Sequence, residues 1–199
     1  MAGTNRLRKW ECAALIALCI TLLCSSWAAA ASERVSGSLV RLHVIADSDS
    51  AEEQAIKLRV RDAVLAYLEP KLEDASTSAA AQEIISGELD GIATAAESAA
   101  EGRAVSVSLG EEYYPTRDYG TFALPAGRYE SLRVTLGSGQ GHNWWCVVFP
   151  PLCLSAAEAE DAFSELDEGT RSVIAESDGV QFRFKLLELW GEFMHLLGR

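Results

Sequence analysis

The sequence predicts an α+β fold. It has a single domain, residues 32–199, with a mixed, mostly antiparallel sheet and helices on one side, after an N-terminal signal peptide, residues 1–31. Three observations carry that prediction. A basic cluster, an apolar run and a patch of small residues open the chain. Behind them, segments of helical period and of alternating period follow one another in the order β-α-α-β-β-β-α-β-α. The roughly 168 residues left after the leader suit one core.

In the leader, Arg6, Arg8 and Lys9 form the positive region, and residues 12–23 are apolar except Thr21. Ser25, Ser26 and Ala28 to Ala31 then supply the small residues of a signal-peptidase site. The apolar run is short beside the about 20 residues of a spanning helix, so cleavage and no stable membrane anchor are expected, with an uncleaved N-terminal anchor as the alternative. Cys24 follows Leu-Leu rather than a small residue, which argues against lipidation. The chain holds 17 basic and 29 acidic side chains, and the leader takes three basic and one acidic away, leaving an acid excess of 14. That charge argues against nucleic acid and anionic lipid as partners.

Residues 38–46 read as a strand whose Arg41 and His43 alternate with Leu42 and Val44, making one face the wetter. Asp47-Ser48-Asp49-Ser50 is a polar turn, and Ser50 with Glu53 forms a capping box for a helix reaching about residue 68, where Pro70 limits it. Ile56, Val60, Val64 and Tyr67 mark its apolar stripe. A second helix is predicted over 76–98, with Ile85, Leu89, Ile92 and Ala96 on one stripe. Gly87 and Gly91 weaken it, and its low apolar content suggests a surface position. Val105 and Val107 begin an alternating strand, Tyr113-Tyr114-Pro115-Thr116 reads as a loop, and Leu124-Pro125-Ala126-Gly127 as a turn. Residues 129–136 form a strand, and Gly137-Ser138-Gly139-Gln140-Gly141 joins it in a hairpin to the Trp-Cys strand that follows. A helix over 155–166, a loop over 168–178, a strand over 180–185 and a terminal helix close the chain. That last helix places Leu186, Trp190, Phe193 and Leu197 on one stripe, which packs on the domain rather than on a membrane.

No pattern of catalysis, cofactor or metal binding survives inspection. The Gly137 to Gly141 loop precedes a strand, whereas a phosphate loop needs a helix N-terminus to receive the anion. Asp47-Ser48-Asp49 opens like a calcium loop, but the Gly and Glu positions of that loop hold Glu52 and Leu58. His142 and Cys146 could pair as base and thiol, yet Cys146 lies in an apolar stretch where thiols are inert. His43, His142 and His195 are too far apart for a ligand motif. A binding or signalling role is therefore favoured over an enzyme. Cys146 and Cys153 are the two cysteines outside the leader, and a disulfide and two buried thiols both fit them.

Two groups of segments carry a resemblance. One runs Arg41-Leu42-His43-Val44-Ile45-Ala46-Asp47-Ser48-Asp49-Ser50 and continues through Glu53-Gln54 and Lys57-Leu58-Arg59-Val60-Arg61-Asp62-Ala63-Val64. The other includes Tyr114-Pro115-Thr116, Leu124-Pro125-Ala126-Gly127, Tyr129, Leu132-Arg133-Val134 and Asn143-Trp144-Trp145-Cys146-Val147-Val148-Phe149-Pro150-Pro151-Leu152-Cys153. A closing Phe182-x-Phe184-Lys185 and Glu188-Leu189 follow. In this order they resemble the stage II sporulation protein R family of endospore-forming Gram-positive bacteria. The resemblance implies a protein secreted from the forespore into the space between the two membranes that separate it from the mother cell. There it would activate a membrane-embedded aspartic protease that processes pro-sigma-E, and the catalytic aspartates would belong to that receptor. Receptor contacts are expected among Arg41, His43, Asp49, Tyr114, Trp144 and Trp145, since aromatics and Arg anchor interfaces; the tryptophans fit a core equally. An exported cell-wall or septum hydrolase is the alternative from another class.

Overall fold

The computed structural model describes residues 3–119 and 123–151. The elements expected over 155–197, and Cys153, lie outside the described residues. The chain begins with α1 (Gly3–Ser38), then β1 (Val40–Ile45), α2 (Ala51–Leu72), α3 (Ser78–Gly87) and α4 (Leu89–Ala99). There follow β2 (Val105–Tyr114), the short pair β3 (Arg117–Asp118) and β4 (Ala123–Leu124), β5 (Gly127–Leu136) and β6 (Asn143–Phe149). The chain leaves β6 through a cis Phe149–Pro150 peptide.

The main sheet has the order β2-β5-β1-β6, with β1 parallel to β5 and the other two pairings antiparallel. It is mixed and mostly antiparallel, as expected, but the hairpin is not formed. β1 sits between β5 and β6, and pairs Leu42 with Leu132 on one side and with Cys146 on the other. The glycine-rich segment instead passes around the end of β1. There Gln140 N–H donates to the Asp47 carbonyl at 3.2 Å and Gly141 N–H to the Ala46 carbonyl at 2.9 Å. The Asp47 carboxylate accepts from Ser138 N–H, and the Asp49 carboxylate accepts from His142 N–H at 2.6 Å. Two glycines are needed for this approach. A side chain at Gly137, where φ is +53°, would meet the Asp47 carboxylate, and one at Gly141 would meet the Ser48 carbonyl.

One face of the sheet carries Val40, Leu42 and Val44 with Leu132, Val134, Leu136, Cys146 and Val148. Packed on it are Ile56, Val60, Val64 and Leu68 of α2, and Ala81, Ile85, Ile92 and Ala96 of α3 and α4. These two helices therefore supply core, despite their low apolar content. The single helix expected over 76–98 is broken at Glu88, just after Gly87, where φ is −108° and ψ 9°. The Glu88 carboxylate accepts from the Tyr67 hydroxyl at 2.5 Å and pairs with Lys71 at 3.1 Å, tying the break to α2. Helix α2 continues past Pro70 to Leu72, whose buried side chain holds the last turn on the core. Its capping box is half formed. Ser50 Oγ accepts from Glu53 N–H at 3.2 Å, but the Glu53 carboxylate turns to the Arg103 guanidinium at 2.7 Å.

The opposite face is also covered, by Val35 at the end of α1, Leu124 and Tyr129 among others. Helices are thus not confined to one side. Helix α1 runs without a break from Gly3 to Ser38, just before β1, and the 30 residues Lys9–Ser38 are long and apolar enough to cross a membrane. A signal sequence meets the same test of length and composition. The expectation that the apolar run is too short counted residues 12–23 alone; the Ser and Ala that follow prolong the helix. Trp10, Leu15, Ile16 and Leu23 along it are exposed.

The close approach at Gly141 gives a prediction. Gly141→Ala should lower unfolding free energy by ~1–3 kcal/mol in urea denaturation, because the backbone of Ser48 must move. Gly110→Ala, where an added Cβ meets nothing within 4 Å, should be neutral or stabilising by about 0.5–1 kcal/mol. The Asp47 contact gives another. The Ser138 N–H and hydroxyl hold the Asp47 carboxyl below the ordinary aspartate value. A lowered folded pKa gives stability that is present above the unfolded value and lost as pH falls through the lowered one. Carboxyl NMR should place the Asp47 midpoint below that of an unstructured aspartate, and Ser138→Pro, which removes the N–H, should raise it.

Candidate functional site: the buried polar face of the sheet

Side-chain alternation sends Arg41 and His43 of β1 to the face away from α2, α3 and α4. Sequence alternation suggested a wetter face; in the structure Arg41 has no exposed surface and His43 is 8 % exposed. They are covered because the same parity brings Glu112 and Tyr114 of β2, Tyr129 and Ser131 of β5, and Asn143 and Trp145 of β6 to this face.

His43 is held at both ring nitrogens. Nδ1 lies 3.1 Å from the Glu112 carboxylate and Nε2 lies 3.0 Å from Asn143 Oδ1. Its ring stacks on Trp145 with centroids 5.6 Å apart. Glu112 also accepts from the Ser131 hydroxyl at 2.7 Å and pairs with Arg133 at 3.1 Å. Ser131 Oγ and the Tyr114 hydroxyl are 2.6 Å apart. The Tyr114 hydroxyl also donates to Glu112, at 3.5 Å, so this carboxylate is the common partner of four side chains from three strands. Burial raises the pKa of Tyr114, and its hydrogen bond to Ser131 opposes that rise without reversing it. Both hydroxyls therefore remain protonated near neutrality.

Arg41 is enclosed differently. Its guanidinium carbon lies 4.0 Å from the centre of the Tyr114 ring, 5.0 Å from Tyr129 and 5.9 Å from Tyr119. Nη2 donates to the Tyr119 hydroxyl, while Nε and Nη1 have no hydrogen-bond partner. Among the described residues no carboxylate pairs with it. Burying a charge costs several kcal/mol even after relaxation, roughly 3–5 kcal/mol where a partner is missing. Each ring face returns about 1–2 kcal/mol, and the charged hydrogen bond ~1.5–3 kcal/mol. The rings and the phenol offset the charge but leave two donors without acceptors. Arg117 of β3 lies over Trp145, its guanidinium carbon 3.7 Å from the ring centre, and its Nε is also buried and unpartnered.

Of the six candidates from the sequence, Arg41, His43, Tyr114 and Trp145 meet on this face. Asp49 is apart, in the turn after β1, paired with His142 at 2.5 Å. Trp144 points to the helix side, where Arg61 covers its ring at 4.5 Å. Both tryptophans are half-buried. Sequence reasoning missed Glu112, Ser131, Tyr119, Tyr129, Asn143 and Arg117. The available signal was the i, i+2 spacing of Arg41 with His43 and of Glu112 with Tyr114. Residues 113 and 114, expected in a loop, belong to β2, since tyrosine favours a strand and Pro115 lies beyond its end. Cys146 is disulfide-bonded, whereas Cys12, Cys19 and Cys24 of α1 are free.

A family model described as stage II sporulation protein R matches residues 36–159. The chain belongs to this family. The stage II sporulation protein R of Bacillus subtilis (strain 168) is 35 % identical over 133 residues, covering 65 % of this chain and 59 % of the relative. This chain therefore matches somewhat under two thirds of that relative's length. No solved structure matches. The family match takes in β1 to β6, and with them the buried polar face.

Glu112→Ala leaves His43 and Ser131 without their acceptor. It should lower stability by ~2–3 kcal/mol in urea denaturation. Arg133→Ala removes the half-exposed partner of the same carboxylate and should cost less than about 1 kcal/mol.

Proposed function

We propose that this chain acts as an exported signal that activates a membrane-embedded aspartic protease of the mother cell, leading to pro-sigma-E processing. The observation that carries this reading is the family match over residues 36–159, which spans all the described strands. The apolar N-terminal helix supports export from the forespore to the intermembrane space. In this reading the chain is a ligand of the protease and not an enzyme itself. Its contact surface lies where half-buried Trp145 and Arg117 reach the outside of the polar face, backed by His43 and Tyr114.

The test is reconstitution in vegetative cells. This chain is expressed with the protease and pro-sigma-E, and removal of the pro-sequence is followed by immunoblot. Processing is expected only when chain and protease are both present, and deletion of residues 1–31 should abolish it. Trp145→Ala should reduce processing at least several-fold at unchanged protein level. No processing with the chain demonstrably exported would overturn the reading and return an exported cell-wall or septum hydrolase to the front.

A further inference from the structure

His43 is nearly buried, yet each of its ring nitrogens faces an oxygen. The Glu112 carboxylate accepts from Ser131 and pairs with the Arg133 guanidinium, so it stands as an acceptor and Nδ1 donates to it. Asn143 turns its amide oxygen to Nε2 at 3.0 Å, and an amide oxygen only accepts, so Nε2 donates as well. A neutral imidazole donates from one nitrogen alone. The ring that serves both acceptors is the imidazolium. That cation lies against Trp145. The two residues are direct partners across β1 and β6, and their rings stack with centroids 5.6 Å apart and 25° between planes. A cation attracts an indole face over this distance. Arg117 lies over the same indole, at 3.7 Å. Trp145 is therefore held by two cations, and only the imidazolium can give up its proton.

We propose that His43 carries a proton on both ring nitrogens and is the positioning residue for Trp145, so that loss of the Nε2 proton loosens the indole. Glu112 is the stronger acceptor and keeps the Nδ1 proton. The Nε2 proton leaves to solvent past Asn143, which is exposed. The hydrogen bond to Asn143 and the charge against the indole are then lost together. Both end on β6 within three residues, and among the described strands β6 pairs with β1 alone. The charges around His43 act in opposite senses. Glu112 favours its proton, while Arg133, Arg117 and Arg41 oppose it from behind Glu112, the Trp145 ring and the Tyr114 ring. Tyr114, edge-on to His43 at 6.1 Å, stays neutral because burial raises its pKa. Val35 of α1 and Leu124 of β4 bring only apolar cover to this face. The consequence for signalling rests on the protease-activator reading, in which Trp145 is a contact. The proton and the indole are read on this chain alone.

The experiment uses the full chain, nitrogen-labelled and held in non-ionic detergent without the protease. The His43 ring nitrogens and the Trp145 indole N–H are followed by NMR as pH is raised, each assigned by its loss in His43→Gln or Trp145→Phe. On the acid side both His43 nitrogens should be protonated. On raising the pH, the Nε2 signal and the Trp145 indole should shift with one shared midpoint. His43→Gln should abolish the Trp145 shift. Asn143→Asp, at an exposed position, sets a second carboxylate against Nε2 and should raise the shared midpoint by about 1 unit. A ring with a single proton wherever the chain is folded would overturn the assignment. So would a Trp145 signal that ignores the His43 midpoint, a Trp145 shift that survives in His43→Gln, or a midpoint unmoved in Asn143→Asp. Failure of the protease-activator reading would appear in the reconstitution alone and leave these signals as they are.

Discussion

Strand β1 is the element on which the rest depends. It is six residues long, buried on both faces, and hydrogen-bonded on both edges to strands that follow it by about a hundred residues or slightly less. Its even-numbered side chains seat α2, α3 and α4, and its odd-numbered ones hold the buried polar face. A one-residue slip in register would place Arg41 and His43 in the apolar core and Leu42 among the tyrosines. The polar residues therefore fix the register as firmly as the apolar ones do.

That position also explains the glycine-rich segment. Antiparallel neighbours can be joined by a tight turn, but β5 and β6 are separated by the width of β1. The connection must cross the end of the inserted strand, and it lies close on the Asp47 turn, where side chains would collide. Asp47 and Asp49, which in sequence resemble the start of a cation loop, act there as acceptors for the crossing backbone. Lys57 completes the attachment from α2. It is nearly buried, donates to the His142 carbonyl at 3.0 Å, and its pKa is lowered by that burial.

The polar face combines two kinds of polar group. The His43 and Glu112 pair is satisfied on every side, so it rigidifies the centre of the sheet. Arg41 and Arg117 are held by aromatic rings, and three of their buried nitrogens meet no acceptor.

Local sequence determined the strand at β1, the Ser50 cap, the α2 stripe, the Leu132, Val134 and Leu136 face, and the family signature. Each of these depends on periodicity or on residues a few positions apart. Sequence also located Arg41, His43, Tyr114 and Trp145 as candidate contact residues, with a core position left equally open for Trp145. Tertiary structure alone decided that β1 separates β5 from β6, that Glu53 turns to Arg103, and that the helix over 76–98 breaks at Glu88 to wrap the core. It alone buried Arg41 and His43, because their covers come from β2, β3, β5 and β6, far along the chain. Alternation shows which residues share a face of a strand. What covers that face depends on contacts between distant segments, and no local pattern encodes them.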